Sequence, residues 1–103
     1  MRRGVPVAVV MVPSKEEVDR AVRLRAGGSP QFDETFTAMR GRMGRICADH
    51  GFPFFDLTDP MRDHVERHKE QVYYCWDGHW NPRGHDVAAE LTRAFLASRG
   101  LAP

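Results

Sequence analysis

The sequence has few cysteines, almost no excess charge and no long apolar run, and each shortage excludes a class of protein. Its two cysteines, Cys47 and Cys75, are too few for a disulfide scaffold and lack CxxC spacing. With 15 basic and 14 acidic residues, the formal net charge is +1, which provides no electrostatic surface for nucleic acid or an anionic membrane. No apolar run approaches the roughly 20 residues that span a bilayer. We therefore predict no nucleic-acid partner and no membrane span.

The remaining composition is that of an ordinary globular protein. Hydrophobic residues make up 42% of the 103 residues and charged residues make up 28%. A chain of this length can bury only about two thirds of the surface that its unfolded form exposes. We therefore expect residues 1–103 to form one small domain or a piece of a larger one.

Two short apolar segments predict β-strands. The segment Val5–Val12 is continuously apolar and rich in valine, which is typical of a strand buried on both faces in a parallel sheet. It is too short for a targeting segment, contains Pro6 and lacks a small-residue cleavage site. The second segment, Phe52–Leu57, carries Pro53 near its start, where proline is tolerated.

Start and stop signals predict four helices around these strands. Ser14 and Glu17 have capping-box spacing, which predicts a helix through Val22 and Leu24 to Gly27–Gly28. The next helix runs from Ser29-Pro30 to a left-handed cap at Gly51, a third from the N-cap Thr58 to Lys69, and the last from Asn81-Pro82 to Gly100. The second helix has an apolar stripe at steps of three and four that predicts a core-facing surface: Phe32, Phe36, Met39, Met43, Ile46 and Cys47.

The order of these elements predicts an α/β fold with parallel strands. Strands joined by helical crossovers pair in parallel, with helices on the faces of the sheet. Two strands make a poor sheet, because three or more are usually needed for independent stability. We therefore expect that a missing N-terminal half or a homo-oligomer supplies further strands.

The densest chemistry lies in residues 73–85, around Asp77-Gly78-His79. Positions i and i+2 of an extended or turning segment project to the same side, and Gly78 permits a tight bend. A carboxylate that accepts a hydrogen bond from one imidazole nitrogen fixes the tautomer and leaves the other nitrogen free as a general base. A structural Asp–His hydrogen bond in a surface turn is the alternative interpretation.

The stretch D-G-H-W-N-P-R-G-H, residues 77–85, resembles the last conserved block of SGNH/GDSL-type serine hydrolases. It is most similar to the D-x-H-W variant of carbohydrate esterases and polysaccharide O-acetyltransferases. The upstream segments V-V-M-V-P-S-K-E and F-P-F-F-D-L-T-D-P-M-R resemble the strand-plus-loop segments that precede this block. The resemblance covers most of the chain. It implies a partial three-layer α/β/α fold, flavodoxin-like, in which residues 1–103 form the C-terminal part.

The resemblance also implies roles for individual residues. His79 would be the general base and Asp77 its orienting acid. Trp80 and Asn81 would shape the loop and start the helix, and together with Trp76 they are candidates for contact with the substrate. The implied reaction is ester hydrolysis or O-acyl transfer on an acylated carbohydrate, and no cofactor is implied.

The nucleophile of that family is absent from the sequence. The chain has three serines, Ser14, Ser29 and Ser98, and none of them stands in a G-D-S-like context. Ser14 and Ser29 are explained as helix caps. We expect the nucleophile and the oxyanion donors to lie before Met1, so the chain alone should not catalyse the reaction.

Four further points bear on this interpretation. Cys75, Asp77, His79 and His85 do not have a recognised zinc spacing, so no metal site is predicted. The pair His64 and His68 is interpreted as a solvated helix face. The aromatic residues near the site could stack on sugar rings or pack over the edge of the sheet. A non-catalytic α/β domain that completes its sheet with a partner chain is the rival function.

Overall fold

The structure, a computed structural model, describes residues 4–19 and 30–101. For residues 30–34 it describes the backbone only. Within these ranges the chain forms two strands and four helices. In chain order they are β1 (Val9–Met11), α1 (Lys15–Val18), α2 (Pro30–Asp49), β2 (Phe54–Asp56), α3 (Thr58–His68) and α4 (Pro82–Ser98).

The two strands pair in parallel, as predicted. Val9 lies opposite Phe54, and Met11 lies opposite Asp56. The Val9 N–H donates to the Pro53 carbonyl at 2.9 Å, and the Leu57 N–H donates to the Met11 carbonyl at 3.0 Å. Both strands are shorter than predicted. Residues 5–8 have no strand opposite them in the described chain, because α2 ends only a few residues before β2 begins.

Helices cover both faces of this small sheet. The Phe55 ring stacks on Phe95 of α4, with ring centroids 4.7 Å apart. The neighbouring residue Phe54 faces the other way, and its ring lies against Gly44 of α2. Since successive strand residues point to opposite faces, α2 and α4 lie on opposite sides of the sheet. The predicted fold class, a partial three-layer α/β/α arrangement, is confirmed.

The core lies beside the sheet rather than across it. All six strand residues are only half-buried. The buried apolar cluster instead joins α1, the start of α3, the segment before the last helix and α4: Val18, Leu57, Met61, Val72, Tyr73, Val87 and Ala88. The best-packed part of the chain therefore surrounds the carboxyl ends of the strands.

The prediction that the apolar stripe of α2 faces the core is wrong for most of the stripe. Cys47 is buried, but Met39, Met43 and Ile46 are 52%, 39% and 45% exposed. The 20-residue helix α2 is about 30 Å long, whereas each three-residue strand is only about 10 Å long. Two strands therefore cannot cover the whole apolar face of α2. Phe36 is half-buried, and the side chain of Phe32 lies outside the described residues.

The predicted capping signals are confirmed at some helix ends and corrected at others. The Glu17 carboxylate accepts the Ser14 N–H at 2.8 Å and the Ser14 hydroxyl at 3.0 Å, so the capping box is present. Gly51 adopts the predicted left-handed conformation, with φ 73°. Thr58, however, is not the N-cap of α3. Leu57 occupies the N-cap position, and the carboxylate of Asp56, one residue earlier, accepts the Thr58 N–H at 2.9 Å.

Helix α1 ends far earlier than the sequence predicted. Asp19 is extended, with φ −85° and ψ 105°. Near this end of the helix, the Glu17 carbonyl accepts two bonds from the Arg62 guanidinium, at 2.9 and 2.6 Å. Val22, Leu24 and the predicted cap Ser29 lie outside the described residues.

Two methionines provide a test of this distribution of buried surface. Met61 is 0% exposed and Met39 is 52% exposed. Met61→Ala should lower the free energy of unfolding by about 3 kcal/mol, because it leaves a cavity in the core. Met39→Ala should change it by less than about 0.5 kcal/mol. Urea unfolding of both variants measures the difference, and equal losses would contradict the placement of the core.

Candidate active site

The segment between α3 and α4 forms a hairpin-like loop at the carboxyl end of β1. Tyr73 and Trp80 form an antiparallel bridge, and the Tyr74 N–H donates to the His79 carbonyl at 3.1 Å. The Tyr73 hydroxyl donates to the carbonyl of Pro13, just beyond β1, at 3.1 Å. Open α/β sheets place their sites beyond the carboxyl ends of the strands. Asp77-Gly78 is therefore located at the tip of a loop in the expected region.

Asp77 and His79 form the pair that the sequence predicted. Asp77 Oδ1 accepts the backbone N–H of His79 at 2.9 Å and is also hydrogen-bonded to Nδ1 of the His79 ring. The bond from the ring, and after it the bond from the backbone N–H, lowers the pKa of Asp77 because both favour the carboxylate. An ionised Asp77 places the proton of a neutral imidazole on Nδ1. The lone pair is then on Nε2, and the His79 side chain is 85% exposed.

Gly78 is not required by the backbone of this loop. Its φ lies outside the left-handed region, and a Cβ at this position would meet no atom within 4 Å. The tight bend that motivated the sequence argument is therefore accessible to other residues.

Asn81 is the N-cap of α4, as predicted. Its Oδ1 accepts the Gly84 N–H at 2.8 Å, and its Nδ2 donates to the Gln71 carbonyl at 2.9 Å. These bonds join the start of α4 to the base of the loop. The contact of Asn81 with substrate stays a prediction, because its amide group here bonds to backbone.

The aromatic residues of the segment divide into packing and exposed groups. Tyr73 is buried, and burial raises the pKa of its hydroxyl to about 12. Trp80 is half-buried, meets the edge of the His85 ring at 5.4 Å, and lines an open apolar groove of about 480 Å³ beside β1 and α4. Trp76 is 80% exposed and lies 5.2 Å from the Tyr74 ring. The two tryptophans predicted to contact substrate thus lie in different surroundings.

Gly84 has a structural role that the sequence analysis did not identify. A Cβ at Gly84 would lie 2.1 Å from the Val72 carbonyl oxygen and 2.9 Å from the Trp80 Cβ. The first turn of α4 therefore packs directly against the strand-like base of the loop. A glycine three residues after an N-cap asparagine was the available signal for this contact.

An ion-pair network at the base of the loop was also missed. The Glu70 carboxylate bonds His64 Nε2 at 2.7 Å and Arg83 Nε at 2.8 Å. These bonds lower the pKa of Glu70 and raise that of Arg83. The prediction of a solvated His64 is wrong, since its side chain is only 18% exposed. His68 is exposed and lies against the His64 ring, with centroids 4.4 Å apart.

The described serines are engaged in local structure. The Ser14 hydroxyl is bonded to Glu17 in the capping box, and the Ser98 hydroxyl donates to the Phe95 carbonyl at 2.7 Å. In residues 4–19 and 30–101, no three His, Cys, Asp or Glu side chains are placed to hold a metal ion. None of the helices in that part of the chain is long and apolar enough to cross a bilayer.

The described chain thus combines a parallel sheet between helices with a hydrogen-bonded Asp–His pair in the loop at the carboxyl edge of that sheet. Residues 1–102 match the family model described as the SGNH hydrolase-like domain of the acetyltransferase AlgX, and the chain belongs to that family. No curated protein and no solved structure matches the sequence.

Substitution of Gly84 tests the packing under the loop. Gly84→Ala should lower the free energy of unfolding by roughly 2–3 kcal/mol, because the added methyl overlaps backbone. Gly41→Ala is the matched control, since a Cβ there meets only the Arg45 side chain, at 3.6 Å. It should stabilise the helix by about 0.5–1 kcal/mol. Thermal unfolding compares the two, and a harmless Gly84→Ala would contradict the contact with Val72.

The titration of Asp77 tests the pair itself. Its carboxyl-carbon NMR signal should titrate below the range of an ordinary aspartate, and His79→Ala should raise the midpoint because the strongest hydrogen bond is lost. The lowered pKa stabilises the folded chain above the unfolded-state pKa, and this contribution is lost as the pH falls through the folded-state pKa. His85→Ala, a nearby exposed control, should leave the midpoint in place. An unshifted Asp77 in the unsubstituted chain would contradict the pairing.

Proposed function

We propose that this chain supplies the general base and the orienting acid of an SGNH-type acyl-transfer site, with His79 and Asp77 in those roles. The observation that carries the proposal is the geometry of the pair. The Asp77 carboxylate binds the Nδ1 side of the His79 ring, while the exposed ring leaves Nε2 open to a reacting group. Membership of an acetyltransferase-related hydrolase family supports the same chemistry.

The proposed reaction has two steps that share His79. Nε2 takes the proton from a serine hydroxyl as the serine oxygen attacks the acyl carbonyl, and it returns that proton to the departing alkoxide when the ester C–O bond breaks. Water or an acceptor hydroxyl then attacks the acyl-serine and loses its proton to Nε2. The bond between the acyl carbon and the serine oxygen breaks, and the departing serine oxygen takes that proton back from Nε2. Asp77 stabilises the imidazolium that forms in each step.

We assign the nucleophilic serine to a segment that is not part of residues 1–103. Ser14 and Ser98 are both occupied by hydrogen bonds of helix ends, and the three serines of the chain lack the family context. The proposal therefore gives this chain two thirds of a triad. Its activity depends on a nucleophile contributed by a connected segment or another subunit.

The proposed substrate is an acetylated carbohydrate. Trp76 is 80% exposed beside the half-buried Tyr74 ring, and an exposed aromatic ring is suited to stacking on a sugar ring. Both residues precede Asp77 in the same loop. The acetyltransferase named in the family description supports an acetyl group as the acyl group.

A second candidate function is a non-catalytic domain that completes its sheet with a partner chain. In the described residues β1 pairs with β2 alone, which leaves the outer strand edges without strand partners. The exposed stripe of Met39, Met43 and Ile46 extends the apolar surface next to this sheet. Such edges and stripes favour association, with a second copy of the chain or with another chain.

Acyl-ester hydrolysis distinguishes the two functions. The measurement uses p-nitrophenyl acetate and a form of the protein in which this chain is combined with its serine-bearing segment. His79→Ala should lower kcat/KM by about 10²–10⁴-fold, since a general base contributes that much. His85→Ala should leave the rate near that of the unsubstituted protein. Equal rates in both variants would refute the assignment of the base and favour the binding function.

A further inference from the structure

Lys15 connects the start of α1 to the loop that carries Asp77. Its ammonium group donates to the carbonyls of Tyr74 at 2.6 Å, Cys75 at 3.2 Å and Asp77 at 3.4 Å. These partners lie about 60 residues further along the chain, and Lys15 is only 9% exposed. We propose that Lys15 is a positioning residue, which holds the loop in the conformation that aligns Asp77 with His79. This inference rests on the proposed function of that pair.

The chemistry of the contact favours a dedicated role for lysine. An ammonium group has three donors and no acceptor, which matches three converging carbonyl oxygens. Without a cation between them, the negative ends of those carbonyl dipoles would repel each other. In the described part of the chain no carboxylate forms a salt bridge with Lys15. Its buried charge is therefore compensated by the loop backbone itself.

The hydrogen bonds of Lys15 lie near the tip of the loop, so their loss would affect the Asp77–His79 pair. Other contacts secure the base of the loop: the Tyr73–Trp80 bridge, the Tyr73 hydroxyl and the Asn81 amide. Among the described residues, Lys15 is the one side chain from outside the loop that hydrogen-bonds to residues 74–79. One of its bonds is to the carbonyl of Asp77. The backbone of Asp77 sets where its carboxylate lies relative to the His79 N–H.

Lys15 is itself held in place from the sheet. It follows Ser14, whose N–H and hydroxyl bind the Glu17 carboxylate. Glu17 is paired with Arg40, and Arg40 is paired with Asp56 of β2 at 3.0 Å. This series of buried and half-buried groups connects the start of α1 to α2 and to β2. Lys15 thus links the edge of the sheet to the tip of the loop.

The test reads the tautomer of His79 and the titration of Asp77 in the ¹⁵N- and ¹³C-labelled full chain. In the unsubstituted chain, at a pH where the imidazole is neutral, the proton should reside on Nδ1. Lys15→Met should make the Nε2–H tautomer the major form and shift the Asp77 midpoint upward towards that of an ordinary aspartate. Lys15→Arg, which keeps donors and charge, should retain at least part of the Nδ1–H form.

Arg62→Met is the matched structural control. Arg62 is also a cation bonded to backbone, at the Glu17 carbonyl of α1, and its described hydrogen bonds and ion pair are with Glu17 and Asp59 rather than with the loop. This variant should lose stability while keeping the His79 tautomer. An equal change of tautomer in Arg62→Met and Lys15→Met would overturn the positioning role, because general loosening would then suffice.

The outcomes separate the two proposals. A neutral His79 with its proton on Nε2 in the unsubstituted chain would refute the proposed function. An Nδ1–H tautomer that Lys15→Met leaves unchanged would refute only the role of Lys15. If the Lys15→Met variant does not fold, a measurement on the unsubstituted chain still tests the contact. Slow exchange of the Lys15 ammonium and its scalar couplings to the Tyr74 and Cys75 carbonyls support the contact, and their absence overturns it.

Discussion

The parallel pairing of β1 with β2 is the constraint on which the rest of the structure depends. It brings the carboxyl ends of both strands to one edge, and the segments that follow them, with α1 and α3, meet there. It also limits the sheet to two strands in the described residues, so the sheet cannot supply a wide core. The buried cluster therefore forms beyond the strand ends, around Leu57 and Met61, where the candidate site is also located.

Polar groups fix this crowded edge. The Asp56 carboxylate accepts the N–H of Thr58 at the start of α3 and pairs with Arg40, and Arg40 pairs with Glu17 of the capping box. The loop is attached to the same edge by the Tyr73 hydroxyl on Pro13 and by the ammonium of Lys15. Its other end is fixed by the close contact of Gly84 with Val72. A tip held in this way can present an exposed histidine in one orientation, which is the preorganisation that a catalytic base needs.

Local hydrogen bonding is the part of this structure that the sequence predicts well. The capping box of Ser14 and Glu17, the N-cap Asn81 and the left-handed Gly51 each involve residues within a few positions of one another. The Asp77–His79 pair belongs to the same group, since its geometry depends on a separation of two residues. Parallel pairing followed from the helical crossover between two apolar segments.

Contacts between distant segments were beyond reach from the sequence. A lysine in a first helical turn has the same local pattern whether it is solvated or, like Lys15, directed at carbonyls 59 to 62 residues away. The stripe of α2 has helical periodicity, but periodicity does not show how much sheet is available to cover Met39 and Ile46. The bond from Arg62 to the Glu17 carbonyl near the end of α1 likewise joins residues 45 positions apart.

The central claim is that His79 has a free, oriented Nε2 that can accept the proton of a reacting serine hydroxyl. Ethoxyformylation with diethyl pyrocarbonate, followed residue by residue by mass spectrometry, measures this in the unsubstituted chain, because the reagent acylates an unprotonated imidazole nitrogen. Of the five histidines, His79 should react fastest, while His64 should react slowly since its Nε2 is bonded to Glu70. A His79 that reacts no faster than the exposed His85 would contradict the account.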